Sequence, residues 1–236
     1  MTPSQPSPHA TRLGDATWTQ LNHVDGQRPI VVLPIGSCEQ HGPHLPLDTD
    51  TRIACAVADG IASALPYALV APALGITASG EHQGFAGTLS LGNAALETVI
   101  IELVRSADWS AGVVLVNGHG GNLQSVNGAV AVLTTEGRRV TSWWPRIEGG
   151  DAHAGRTETS LMLAIAPHLV RTEAIEPGRT DALRDLLPQL QTGGVLSVSP
   201  NGVLGDPTGA SSHEGTSLLS KLVSDATTHV TTWMSS

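Results

Sequence analysis

Glu39, His41, His44, Asp48 and Asp50 fall within GSCEQHGPHLPLDTD (36–50), a stretch with no Lys or Arg. Carboxylates held this close repel one another, so an uncompensated acidic cluster is unfavourable. A bound divalent cation is the common remedy, and imidazole with carboxylate is ligand chemistry for Zn, Fe(II) or Mn(II). Two further segments offer the same side chains. NGHGGN (117–122) carries His119, and DAHAGRTETS (151–160) carries Asp151, His153 and Glu158. Glu39, Asp50 and Glu158 with His41 and His119 supply carboxylates and imidazoles for two metals. Two divalent cations would balance those carboxylates plus one hydroxide, without any Lys or Arg.

These segments must be brought together by the elements between them. PIVVLPIG (29–36) is a continuous apolar run that suits a buried parallel strand, and the acidic stretch follows it at once. AGVVLVNG (111–118) reads as a similar strand, followed by His119. YALVAPAL (67–74) and RRVTSWWP (138–145) read as two more strands. Helical spacing of apolar residues predicts helices over 51–65, 93–108, 123–137 and 156–167. DALRDLLPQL (181–190) reads as a brief helix, and GITASGEHQGFAGTLSLG (75–92) as a long Gly-rich loop. Ser211 with Glu214 predicts a capping box for a last helix. Leu219, Leu222, Val223, Ala226, Val230 and Trp233 give that helix one apolar face. The expected fold is a single α/β domain (13–236) with a mostly parallel central sheet and helices on both faces, behind a flexible segment over 1–12. In such sheets, sites lie beyond the carboxyl ends of the strands, where the three polar segments fall.

Composition narrows the function. The chain of 236 residues is 40% hydrophobic and 14% charged, as expected of a globular domain. A formal net charge of −9 argues against nucleic acid as a partner. No apolar run is long enough to span a bilayer, and the N-terminus has no signal-peptide core, so a reducing cytoplasm is the expected compartment. Cys38 and Cys55 form no CxxC and no disulfide framework. Cys38 makes a poor nucleophile, because Glu39 beside it opposes a thiolate. NGHGGN is not a dinucleotide fingerprint, since Leu123 stands at the third glycine place. His44 and Asp48 are expected to serve local turn structure. His82 is open between lining a pocket and packing a loop. His9, His23, His168, His213 and His229 belong to no cluster.

PIGSCEQHGPHLPLDTD, NGHGGN and HAGRTETS together resemble the creatininase (creatinine amidohydrolase) family, from about Leu13 to GDPTGASSHEG. SGEHQGFAGT, SWWPR, GDAHAGRTETS and SPNGVLGDPTGAS point, within it, to a branch of peptidases. The resemblance implies a dinuclear metal site. Glu39 and His119 would hold one metal, His41 and Glu158 the other, and Asp50 would bridge them. His153 matches the family's catalytic histidine. Creatinine-cleaving members carry a Glu where Gly121 stands, and a pocket tryptophan where Gly149 and Gly150 stand. The implied activity is removal of a C-terminal Val-Tyr dipeptide from a modified precursor peptide, by a ring-like homo-oligomer. Two rivals remain at this point: an amidohydrolase acting on creatinine or a formamide, and a non-catalytic metal-binding peptide scaffold.

Overall fold

Strands Ile30–Ile35 (β1) and Gly112–Asn117 (β3) are buried at every residue, which is why they read as unbroken apolar runs. In this computed structural model, which describes residues 11–21 and 28–236, they form the middle of a four-stranded sheet. The order is β2-β1-β3-β4, with Ala68–Val70 as β2 and Val140–Trp143 as β4, and every pairing is parallel. The second strand is shorter than the expected 67–74. Pro72 has no N–H to donate, yet the chain keeps company with β1 through Leu74 N, which donates to Pro34 O over 2.9 Å.

Helices cover both faces. Thr49–Ala64 (α1), Arg156–Ile165 (α4) and Ser212–Ser235 (α6) pack on one side, with Ile30, Val32, Val114 and Val116 of the sheet. Asn93–Ser106 (α2) and Leu123–Thr135 (α3) pack on the other, with Val31, Leu33, Ile35, Val113 and Leu115. The alternation along β1 and β3 thus divides their side chains between two cores.

The remaining helix, Leu183–Val198 (α5), runs well past the expected 181–190. It tolerates Pro188 and is broken at Gly194 (φ 66°, ψ −177°). Ser211 Oγ accepts from Glu214 N over 3.2 Å, so half of the expected capping box forms. The other half does not, because the Glu214 carboxylate takes Arg156 Nε at 2.8 Å and Ser160 Oγ at 3.1 Å instead. Leu222, Ala226 and Val230 of the expected α6 face are fully buried. Residues 1–10, with His9, and residues 22–27, with His23, lie outside the described residues. Thr11 and Arg12 run beside β2, where Val70 N donates to Thr11 O over 2.8 Å.

Candidate metal centre

The three polar segments meet at the carboxyl end of the sheet. Glu39 and His41 lie on the loop after β1, Asp50 in the first turn of α1, and His119 just past β3. Two asparagines tie these loops together. Asn122 Nδ2 donates to Gly36 O at 2.9 Å and to Asn117 Oδ1 at 3.1 Å, while Asn117 Nδ2 donates to His119 O at 2.8 Å. The third segment is held by Leu204, whose carbonyl accepts from His153 N over 3.1 Å. Asp151 does not join the cluster. Its carboxylate caps α4, accepting from Thr157 N at 3.0 Å and from Arg156 N. That carboxylate fills the place of any side chain at residue 155, which must be glycine. Ala154 sits at φ 51°, a backbone region that costs a non-glycine residue energy. The turn it makes sends its N–H to Glu158 Oε2 at 2.6 Å.

Asp50 divides its carboxylate between two sides. Oδ1 lies 3.1 Å from His41 Nε2, and Oδ2 lies 3.1 Å from His119 Nδ1 and accepts from Ser37 Oγ at 2.8 Å. On the first side, Glu158 Oε2 stands 3.9 Å from His41 Nε2. On the second, Glu39 Oε2 stands 3.1 Å from His119 Nε2. Both Glu39 oxygens are buried and neither has a hydrogen-bond partner. A buried carboxylate without a partner is unfavourable by roughly several kcal/mol even after the surroundings relax, and a cation removes that penalty. Ligands sharing a tetrahedral ion at about 2.1 Å stand roughly 3.4 Å apart, close to the spacings seen here. The residues therefore fit a metal centre. Glu39, Asp50 and His119 form one ligand-capable group, and His41, His153 and Glu158 another.

His82 also enters the cluster, with Nε2 3.3 Å from Glu39 Oε1, which settles it as a site-lining residue. Gln40 sorts the histidines. Its Oε1 accepts from Gly42 N at 2.9 Å, so its Nε2 is the donor end. That nitrogen lies 2.8 Å from His82 Nδ1 and 3.0 Å from both Gly202 O and His153 Nε2; with His153 Nε2 itself donating to Gln40 O, the amide hydrogens go to His82 and Gly202. His82 then carries its proton on Nε2, facing Glu39. His153 Nε2, 2.8 Å from Gln40 O, donates to that carbonyl and leaves Nδ1 bare, 3.9 Å from Glu39 Oε1. His44, expected to serve a turn, is instead fully buried and bonds Thr159 Oγ1 at 2.8 Å, bracing α4. Asp48 pairs with Arg52 at 2.8 Å.

The charges are uneven. Burial opposes protonated His41, but Asp50, Glu158 and Glu39 outweigh it and lift its pKa to about 10. Burial likewise opposes protonated His119, yet Glu39 and Asp50 hold it well above its usual value. His153 goes the other way: burial, then His41 and His82, hold it well below. Burial and the Asp50 charge push Glu158 up to about 7. In the metal-free protein, protons on His41 and His119 stand in for cations.

A cavity of about 430 Å³ opens over the cluster, lined by His119, Glu158, Leu123, Trp144, Arg146 and Gly150 among others. It shares Ile147, Gly150, Asp151, Ala152 and Thr157 with a second cavity of about 780 Å³, so the two make one trough. Glu39, His41, Asp50, His119, His153 and Glu158 all meet as the sequence led us to expect. Gln40 and Glu81 were not singled out as members, and His82 was left open between the pocket and the loop. The SGEH turn after the second strand was the available signal, since its polar residues also follow a strand's carboxyl end.

Comparison with known proteins agrees with the geometry. The family model described as Creatininase: Creatinine amidohydrolase matches residues 14–230. A mycofactocin precursor peptide peptidase from Mycobacterium tuberculosis (strain CDC 1551 / Oshkosh) is 48% identical over 238 residues, covering 96% of this chain and 93% of its own. One from Mycolicibacterium smegmatis is 47% identical, covering 94% and 91%. A solved creatininase in its Mn form superposes with a TM-score of 0.76 at 26% identity, over 94% of this chain and 97% of the other.

Proposed function

The chain belongs to the creatininase family of metal-dependent amidohydrolases, and from that premise we propose that it is a dinuclear peptidase acting on the mycofactocin precursor peptide. In this reading Glu39 and His119 hold one divalent ion, His41 and Glu158 the other, and Asp50 is shared. The observation that carries it is Asp50, whose two oxygens face two different histidines. Bound there, divalent ions supply Lewis acidity toward the amide carbonyl and make the attacking water more acidic.

The chain's own groups do the rest. His153, neutral in the metal-free protein and with Nδ1 bare, takes up a proton and returns it to the leaving nitrogen. Its Nε2 bond to Gln40 O keeps the ring aimed at the cluster. Ile53, Leu123 and Leu161 in the cavity wall exclude water from the amide. The two adjoining cavities, about 430 and 780 Å³, run past Gly149 and Gly150 and offer more room than a small ring needs, which favours a peptide. Arg146 is the one Arg or Lys among the residues lining the inner cavity, and it suits a terminal carboxylate. The C-terminal Val-Tyr dipeptide is the expected leaving fragment. Exposed Leu47, Leu89 and Leu91 near the cluster's outer loops fit a homo-oligomer, the assembly we expect.

The test is mass spectrometry of the modified precursor after incubation with metal-loaded protein. Release of free Val-Tyr is expected. Hydrolysis of creatinine or a formamide with the precursor left intact would overturn the reading in favour of a different amidohydrolase. Metal uptake without turnover of any of these would point to a binding scaffold.

A further inference from the structure

Gly121 lies two residues beyond His119, and a side chain there would collide. A Cβ built at Gly121 overlaps Glu81 Oε1 and His119 Nε2 and comes within 2.6 Å of Ala78 O. The space is already taken by Glu81, which belongs to the Gly80–His82 turn on another part of the chain. Its Oε1 stands 3.3 Å from His119 Nε2, the nitrogen that also faces Glu39 Oε2 at 3.1 Å. Among the described residues Glu81 has no Arg or Lys at ion-pair distance, and its charge faces His119.

We propose that Glu81 delivers a further acidic ligand to the His119-side metal, in the space where creatinine-cleaving relatives would place a side chain at 121. The inference rests on the reading of Glu39, Asp50 and His119 as metal ligands. Two separate observations support it. The carboxylate oxygen sits where the side chain of residue 121 would begin, and Gly121 is what leaves it room. The turn that carries Glu81 is also clamped from outside, because Phe85 N donates to His82 O over 3.0 Å and the α5 backbone at Gly194 lies against Glu81 O, where a Cβ would come within 2.7 Å. A flexible surface glutamate would need no such clamp.

The test is titration of metal-free wild-type and Glu81→Gln protein with Co(II), read by calorimetry, elemental analysis and the visible spectrum. Two ions per chain are expected for wild type. Glu81→Gln should weaken one of them by about 10–100-fold and alter the absorption of that ion alone. Equal affinities and identical spectra would overturn the role of Glu81. Failure of wild-type protein to bind Co(II) would instead overturn the metal reading beneath it. Glu81 is 35% exposed, so the isosteric change should leave the fold intact. If Glu81→Gln loses its far-ultraviolet circular dichroism, Glu81→Asp is judged by the same affinity and spectral criteria.

Discussion

His153 donates from Nε2 to the backbone carbonyl of Gln40 over 2.8 Å, which turns its other nitrogen toward the acidic cluster. A ring anchored this way is poised to move a proton. It is also close enough to count among ligand-capable groups with His41 and Glu158. The two roles separate by experiment. His153→Ala should retain near-normal metal content and lose about 10²–10⁴-fold in turnover. An activated anilide, which needs less protonation to leave, should recover part of that loss. A metal-depleted His153→Ala protein would make His153 a ligand and reverse the assignment.

Glu158→Ala and Asp50→Ala should differ in degree. Glu158 groups with His41 and His153 and not with His119, so its loss should empty one site. Asp50 faces both His41 and His119, so its loss should lower the affinity of both. Metal-to-protein ratios near one and near zero, respectively, after dialysis against the same buffer are the expected outcome. Equal ratios for the two variants would argue against a shared Asp50.

The pH dependence of metal-free protein follows from His41. Its folded-state pKa, about 10, lies above the ordinary 6.5, so the folded protein keeps a proton that the unfolded chain releases. The stabilisation is complete below pH 6.5 and is lost as pH rises through about 10. His119, raised for the same reason, adds the same sign. Glu158, raised to about 7, loses its contribution earlier, between its ordinary 4.5 and about 7. His44, lowered to about 4 chiefly by burial, acts oppositely and only below pH 6.5. Between pH 7 and 10, Tm of metal-free protein should therefore fall. Metal needs the bare imidazoles, so the Tm increase on adding metal should grow over the same window. Thermal scans with and without Mn(II) read both trends.

Arg156 and Arg146 make opposite predictions for substrate choice. Arg156 lies three residues from His153 and is the nearer of the two along the chain. Its guanidinium is committed to Glu214, with Nε 2.8 Å from Oε2, and it lines only the outer cavity. Arg156→Ala should leave the preference for free-acid over C-terminally amidated peptide unchanged. Arg146→Ala should reduce that preference by about tenfold or more, through KM rather than kcat. Competition assays with the paired substrates decide between them.

The sequence made the centre legible because its ligands come in dense local clusters after apolar strands. Glu39, His41 and Asp50 share one stretch, and strand β3 leads straight into His119. What it hid are relationships between distant segments. Nothing local in SGEH announces that Glu81 shares space with Gly121, since that depends on how the 75–92 loop folds back. His44 looked like a turn residue because its partner, Thr159, lies on another helix. The capping box formed only by half because Arg156 and Ser160 of α4 compete for Glu214. Helix α5 continues past the expected 181–190 to Val198, because Val195 and Val198 pack with Leu186 and Leu204 in a small core of their own.

The break at Gly194 makes α5 a two-part lever whose pivot rests on the turn that carries Glu81 and His82. Its dihedral angles, 66° and −177°, fall where essentially only glycine is stable. Leu186 before it and Val195 and Val198 after it are buried in one small core with Leu204, while Leu183, Leu187 and Leu196 face outward. A side chain at 194 would therefore press on the Glu81 carbonyl and, through it, on the turn that brings Glu81 and His82 to the cluster.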